Sequence, residues 1–452
     1  MPMRKVLLLT YHFPPSGAVA VYRMLGLVRY LPRFGWQPIV VAPPRVPWEP
    51  EDTSLLAQIP PETPIERVPF PEGFFGRIAR YLAPEAHWLL PARAACNRMI
   101  PLHRPDAILT SSPPEAVHLL GRWLSRRYRL PWAACFRDPW VTNNQLDYSR
   151  PRLALERWLE RGVLERATRL IANTPLNQAG WAETYPHHAH KMLTIPNGFD
   201  PERFSALPLG EGAPNLSPLP LGEGPGVRVQ ASPAVSITSR ALGPSPLIPL
   251  PEGEGDQTSP LGERNRTLTI LHAGEFYSGR DPRPFFDALQ AESLPVRVEL
   301  LGRQTEALFD FPSELRQRGL DATVQLVGQV PYGEAIQRML RADILLLVHS
   351  PGFRFSVPAK LYEYLGAGRP ILALAEPDGD IAWALRESKV LHRIAPPRDV
   401  PRIRQALVEL VCEVQAGRPA VPDPTARLQF TRERMAQRVA ECLDLCLAAG
   451  RA

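Results

Sequence analysis

A lysine and a glutamate stand three residues apart, as Lys360 and Glu363, in the stretch SVPAKLYEYLGAGRP (356–370). The pattern reads as a helix. Ser356 or Val357 serves as N-cap, Pro358 suits a first turn where its missing N–H costs nothing, and Gly366 and Gly368 supply the stop. Leu361 and Leu365, four apart, make the inward face. Side chains three apart project from neighbouring parts of one face, so Lys360 and Glu363 both leave the electropositive end of this helix. Free N–H groups with a lysine beside them make a seat for phosphate, and a carboxylate one turn further in accepts hydrogen bonds from a diol such as a ribose. An ordinary surface ion pair fits the same fifteen residues, and the rest of the chain has to decide.

The 452 residues suffice for two or three domains with cores of their own, and 44% hydrophobic with 22% charged residues describes an ordinary globular chain. A formal net charge of +6 suits an anionic ligand or membrane surface. No basic run is dense enough to follow a phosphate backbone, so nucleic acid is not an expected partner. The five cysteines, Cys96, Cys135, Cys412, Cys442 and Cys446, are scattered as in a reducing compartment, and Cys442 and Cys446 read as core thiols. The apolar run near the start is too short for a signal peptide and no window reaches membrane-spanning length. The expectation is a cytoplasmic protein, peripheral at the inner face of a membrane if it touches one.

Strand and helix signals alternate along the chain. Short apolar strands are expected at 5–11, 38–44, 106–112, 131–136 and the end of 154–174, with helices at 26–36, 114–128 and from 154 onward. The pattern restarts at LTILHAG (268–274) and continues through strands at 296–302, 324–330, 342–350 and 370–376, with helices at 282–290, 312–319, 333–341, 357–365 and 380–388. Continuous apolar strands separated by helices indicate parallel sheets covered on both faces. The fold class is therefore α/β, with two Rossmann-like doubly wound domains facing a cleft. Residues 205–266 differ: they hold 11 prolines, 9 glycines and no aromatic residue, and PLGEG occurs at 208–212 and again at 220–224. Such a segment buries too little apolar surface to offset its ordering entropy and is expected to be a disordered insertion in the linker.

Seven motifs follow one another along the chain: YHFPPSGAVAVYR (11–23), TSSPP (110–114), FRDPW (136–140), ANTPLNQ (172–178), IPNGFDPERF (195–204), HAGEFYSGRDPRP (272–284) and VPAKLYEYLGAGRP (357–370). Together they resemble the retaining GT-B-fold glycosyltransferases of family 4, above all the bacterial branch that makes surface polysaccharides. The resemblance implies an N-terminal acceptor-side domain (1–204), a C-terminal nucleotide-sugar-binding domain (267–426) and a last segment (427–452) crossing back to the first domain. It implies that Glu363, the second glutamate of the family's E-x7-E motif, holds the donor ribose. Arg280 takes the place of the diphosphate-binding lysine, and Lys360 acts on the same diphosphate. Gly17 lies in the loop that lets backbone N–H groups approach the phosphates, Gly274 opens the loop to Arg280, and the backbone from Gly328 faces the base. Three positions depart from the pattern. Phe355 replaces the first glutamate of E-x7-E, Glu275 replaces an arginine, and Arg137 or Asp138 replaces a histidine near the reacting sugar, which makes these two the catalytic candidates.

The reaction so implied moves a hexose from a nucleotide-diphosphate sugar, as co-substrate, to an acceptor hydroxyl with retention, without further cofactor or metal. The DGD at 378–380 is read with Asp380 as a helix N-cap rather than as a metal ligand. The acceptor is unknown, a lipid-linked saccharide being one alternative, and EGFFGRIARYLAPEAHWLL (72–90) reads either as a membrane-surface stretch or as packing against the domain. A sugar-nucleotide epimerase and a non-catalytic nucleotide-sugar-binding protein are the rival readings. Among the histidines, His118 reads as structural, while His12 and His272 end strands that face the cleft.

Overall fold

The computed structural model describes residues 3–46, 49–71, 87–141, 149–205, 266–276, 279–303 and 310–451. Nearly all of the Pro/Gly-rich insertion and most of the 72–90 stretch lie outside these residues.

The first sheet comprises β1 (Arg4–Thr10), β2 (Trp36–Ala42), β3 (Ile65–Arg67), β4 (Ala107–Ser111), β5 (Trp132–Phe136), β6 (Arg169–Ala172) and β7 (Met192–Thr194), all parallel, in the order β3-β2-β1-β4-β5-β6-β7. Its helices are α1 (Val21–Tyr30), α2 (Leu89–His103), α3 (Ala116–Tyr128), α4 (Arg150–Arg166) and α5 (Pro175–Thr184), and the short α6 (Glu202–Ser205) leads away. The second sheet is built from β8 (Leu268–Ala273), β9 (Val296–Leu301), β10 (Val324–Gly328), β11 (Ile344–Val348), β12 (Ile371–Leu374) and β13 (His392–Ala395), in the order β10-β9-β8-β11-β12-β13. Its helices are α7 (Arg283–Gln290), α8 (Phe311–Gln317), α9 (Tyr332–Arg341), α10 (Ala359–Ala367), α11 (Asp380–Ser388) and α12 (Val400–Gln415), and α13 (Arg432–Arg451) ends the described chain.

The central strands are apolar and buried through their middles, as Val6–Leu9 of β1 and the whole of β11 illustrate, because helices cover both faces. The strand order reverses next to β1 in one sheet and next to β8 in the other. Beyond the carboxyl ends of strands at such a reversal, two loops diverge and leave a crevice for a ligand.

Several boundaries differ from the sequence expectation. The helix expected at 26–36 starts five residues earlier, and Leu31–Phe34 forms a 3₁₀ turn that Gly35 ends in the left-handed region before Trp36 opens β2. The three-residue edge strands β3 and β7 are too short to show periodicity.

Two chain crossings join the sheets side by side. The Phe199 N–H donates to the Phe430 carbonyl (2.9 Å), and the Arg432 N–H donates to the Phe199 carbonyl (2.8 Å). Gly198 fits this approach because a Cβ there would lie 2.5 Å from the Thr431 backbone. From this crossing α13 returns to the first sheet, and Met435, Val439, Cys442, Leu443 and Cys446 join the core under β1 and β2. The two thiols are packed among aliphatic side chains, as read from the sequence.

Candidate functional site

Helix α10 begins one residue later than its sequence signals imply, with Pro358 at the N-cap and Gly368 as the left-handed stop (φ 63°). It is fixed by Tyr364, whose hydroxyl accepts from the Ala273 N–H (2.9 Å) and donates to the Leu346 carbonyl (3.1 Å). Lys360, four residues earlier, shares the face of Tyr364 and is directed at the ends of β8 and β11. Those are the strands flanking the reversal.

Lys360 is buried, with 6% of its surface exposed. Its ammonium occupies the space that a side chain at Gly274 would need, and Gly274 (φ 140°) has none. Gly302 in turn has no Cβ because one would lie 2.5 Å from the Gly274 carbonyl. Among the described residues Lys360 Nζ has no hydrogen-bond partner. Burial, then the neighbouring Arg280, push the Lys360 pKa well below the ordinary lysine range, with Glu363 opposing. Arg280 is itself buried to the same degree. Two basic side chains thus converge at the end of the sheet, and among the described residues Glu363 is the carboxylate that acts on the lysine.

Two neutral histidines complete the cluster. His272 Nδ1 lies 2.9 Å from the Leu346 carbonyl, so this nitrogen carries a proton, and Nε2 is buried without a hydrogen-bond partner among the described residues. Burial lowers its pKa well below the usual range, reinforced by Lys360 and Arg280. His349, just after β11, is lowered to about 3 by burial and the same two cations. Its Nδ1 is also without a partner among the described residues.

Glu363 looks another way. Its Oε1 accepts from the Tyr332 hydroxyl (3.3 Å), while Oε2 is buried without a described partner. Burial raises its pKa; Arg203, Arg432, the Tyr332 hydrogen bond and Lys360 oppose the rise. Arg203, from the linker, sits between the rings of Tyr22 in the first domain (5.3 Å) and Tyr332 in the second (5.2 Å), and Arg432 covers the other approach to Tyr22 (4.9 Å). The carboxylate therefore stands where both domains and both crossings meet. Lys360 and Glu363 are not the exposed ion pair that the local sequence also allowed.

The structure brings Gly274, Arg280, Lys360 and Glu363 together and leaves the other sequence candidates apart from them. The Gly17 N–H donates to the Pro50 carbonyl (2.7 Å), so it is not held out for a phosphate. Gly328 closes the edge strand β10, where its carbonyl accepts from Gly302 (2.8 Å), and no described contact joins it to Lys360. Arg137 Nε donates to the Ser112 carbonyl (2.6 Å) and so ties the ends of β4 and β5. Burial lowers its pKa, with Asp138 opposing; burial raises that of Asp138, with Arg137 opposing. The expectation that Asp380 caps its own helix does not hold. Gly379 is the N-cap of α11, and Asp380 Oδ1 accepts from the Leu176 N–H (3.1 Å) in the first turn of α5, in the other domain. Asp378 pairs with Arg354 (2.5 Å). His118 bonds Thr110 (2.7 Å) within the first core, as a structural residue would. His349, Tyr332, Arg203 and Arg432 are the site residues that sequence reasoning passed over. Of these only His349 carried a signal, a histidine ending a buried strand in the manner of His272.

Residues 17–198 match the family model described as a glycosyl transferase 4-like domain. No curated protein matches the chain. Among solved structures, the chain is similar to HepE from Anabaena in complex with UDP and glucose, at 17% identity and a TM-score of 0.58, covering 98% of this chain and 99% of that one. It is similar to sucrose-phosphate synthase from Thermosynechococcus elongatus, at 14% identity and a TM-score of 0.63, covering 99% and 100% of the two chains. A glycosyltransferase from Rickettsia africae aligns at 11% identity with a TM-score of 0.62, over 99% of each chain. Two parallel doubly wound sheets, a last helix that returns to the first of them and these whole-length likenesses define one architecture: the chain has the two-domain GT-B fold, and its residues 17–198 are similar to a glycosyl transferase 4-like domain.

Proposed function

We propose that the chain transfers a sugar from a nucleotide-diphosphate sugar to an acceptor hydroxyl with retention of anomeric configuration, in the synthesis of a polysaccharide or glycolipid. The observation that carries this reading is the unpartnered Lys360 ammonium beside Arg280 at the strand reversal of the second sheet. Burial and Arg280 disfavour charge on this amine, with Glu363 alone opposing among the described residues, and a diphosphate supplies the missing negative charge and the acceptor oxygens. The open Oε2 of Glu363 suits the ribose hydroxyls. HepE has been crystallised with UDP and with UDP-glucose, which supports a uridine nucleotide as the first donor to try.

In this reading the bond from the anomeric carbon to the diphosphate oxygen breaks as the acceptor oxygen bonds the same face of the sugar. The departing phosphate oxygen takes the acceptor proton, so charge and protons balance without a metal. Fixed donors aimed at developing negative charge are worth about 3–4 kcal/mol each in a water-excluded site, and Lys360 and Arg280 take that role. Asp138 is the candidate for aiding the acceptor hydroxyl in this reading. A nucleotide-sugar-binding protein without turnover is the second reading, favoured by the half-buried Phe355 in place of a sugar-contacting glutamate. Calorimetry with UDP on wild type and Glu363→Ala, followed by turnover assays with UDP-sugars, separates the two. Binding that is lost in the variant, together with release of UDP, supports transfer. Binding without release under any acceptor supports the second reading, and no nucleotide binding removes both.

A further inference from the structure

The outer face of α4 has a composition that neither the core nor the crevice uses. Trp158 is 64% and Leu155 46% exposed, and the two are three apart, hence neighbours on one helix face. The helix carries five arginines and three glutamates (150–166). The charges are sorted by side. Glu156 and Glu160 are turned inward and buried, where Glu156 Oε2 accepts from the Trp140 indole N–H (2.8 Å) and Glu160 Oε2 from the Tyr185 hydroxyl (2.7 Å). Arg150, Arg157 and Arg161 are exposed around Trp158 and Leu155, together with Arg152, which pairs with Glu156. The one outward carboxylate of the helix, Glu165, stands at its C-terminal end. On the adjacent α3, joined to α4 by the hydrogen bond from Arg166 to the Ser125 carbonyl (3.0 Å), Arg126 and Arg127 are exposed too.

An exposed Trp–Leu pair ringed by arginines fits the boundary of an anionic bilayer: the indole and leucine enter the headgroup layer while the guanidinium groups meet lipid phosphates. A second copy of the chain would present the same sign of charge, which disfavours self-association through this face. We infer that α4 docks the first domain on an anionic membrane surface. The inference deepens the proposed function and rests on it for the nature of the acceptor: the acceptor-side domain then sits against the membrane that holds a lipid-linked saccharide. Among the described residues no helix is long and apolar enough to cross a membrane, so contact through this helix would be peripheral.

The test is co-sedimentation of the full chain with phosphatidylcholine vesicles and with mixed phosphatidylcholine–phosphatidylglycerol vesicles. The expected result is binding to the anionic vesicles alone, weakened by salt. Binding should fall roughly fivefold for each arginine removed in Arg157→Gln and Arg161→Gln, be restored by lysine at both positions, and be lost in Trp158→Ala. UDP binding and the melting temperature of every variant serve as controls of fold and of the donor site. No binding to anionic vesicles, or variants that bind as the wild type does, would overturn the inference. So would a concentration-dependent dimer that the same variants abolish. Any of these with UDP binding intact leaves the proposed function standing, whereas vesicle binding without UDP binding removes the donor reading instead.

Discussion

The two sides of the crevice are built on the same plan, a strand reversal in a parallel sheet, yet they differ in how they hold their ionisable groups. On the first sheet the ionisable side chains at the strand ends are engaged, and the atoms left buried without described partners include the neutral Ser112 Oγ and Asn177 Oδ1. His12 Nδ1 meets Glu49 Oε1 at 2.8 Å, Ser16 donates to the other oxygen of Glu49, and Arg137 is bound to the Ser112 carbonyl. Arg23 reaches Asn197 Oδ1 (2.8 Å) and the Ile195 carbonyl (2.9 Å). On the second sheet Lys360 Nζ, His272 Nε2, His349 Nδ1 and Glu363 Oε2 are buried without described partners. Buried polar atoms normally find partners, and a group of four without them in one place marks where a ligand completes the structure. Engaged ionisable groups form a frame; a cluster of unengaged ones is the candidate binding site.

Breaking the second side should have the largest effect. Lys360→Met keeps the length of the side chain and removes the charge. Hydrogen bonds to charged groups are worth about 1.5–3 kcal/mol, so UDP affinity measured by calorimetry should fall about 10- to 150-fold. An unchanged affinity would refute the placement of the diphosphate. On the first side, Glu49→Gln should leave UDP affinity close to that of the wild type. By disturbing the contacts with His12 and Ser16 it should instead lower stability by about 1–3 kcal/mol in chemical denaturation. If this substitution abolished UDP binding while leaving stability intact, the division between frame and site would fail.

Glu363→Gln sharpens the comparison within the site. One carboxylate oxygen is held by Tyr332 and the other is open, so the variant should lose about 1 kcal/mol, close to fivefold in affinity. The loss should be larger for UDP than for 2′-deoxy-UDP, because only the former offers the full diol. Equal losses for the two would place Glu363 away from the pentose.

A smaller effect follows from protonation. The Lys360 pKa is pushed down by burial and Arg280, which favours the neutral amine in the free protein. A diphosphate favours the ammonium, so binding takes up a proton at this residue and affinity falls as pH rises. Glu363 acts with the opposite sign. Burial holds its pKa up, hydroxyl donors favour the carboxylate, and binding releases its proton. Proton uptake, read from the dependence of binding enthalpy on buffer ionisation, should therefore decrease in Lys360→Met and increase in Glu363→Gln. The same uptake in all three proteins would mean that neither group titrates on binding.

The alternation of strands and helices was legible because central strands are continuous apolar runs, and α10 because Lys360, Glu363 and the closing glycines lie within one helix. Other features depend on contacts between distant parts of the chain. The start of α1 could not be read since its N-cap, Ala20, makes no side-chain hydrogen bond. The role of His349 arises from Arg280 and Lys360, each far along the chain or on another element. Gly17 has the right residue type in the right loop, yet Pro50 takes its N–H. A motif identifies which groups are present; it does not report which of them a non-local partner has already engaged.

Asp380 gives the last prediction, because it belongs to the frame although it lies on the second sheet's side. The local sequence implies a cap on its own helix, whereas the side chain caps α5 across the domain boundary, fully buried. Burial raises its pKa from the ordinary carboxylate value to about 6, against the hydrogen bonds from Thr174 and Leu176. A carboxyl whose pKa is raised on folding contributes stability below its unfolded pKa and loses that contribution as pH rises through the folded one, here between about pH 4 and 6. Asp380→Asn keeps an acceptor for the Leu176 N–H and cannot ionise. It should match the wild type in acid and be more stable above pH 6, by about 1 kcal/mol or roughly 1–2 °C in melting temperature. A variant that is less stable than the wild type at neutral pH would show that the ionised carboxylate, with its charge on the first turn of α5, is the form that holds the two domains together.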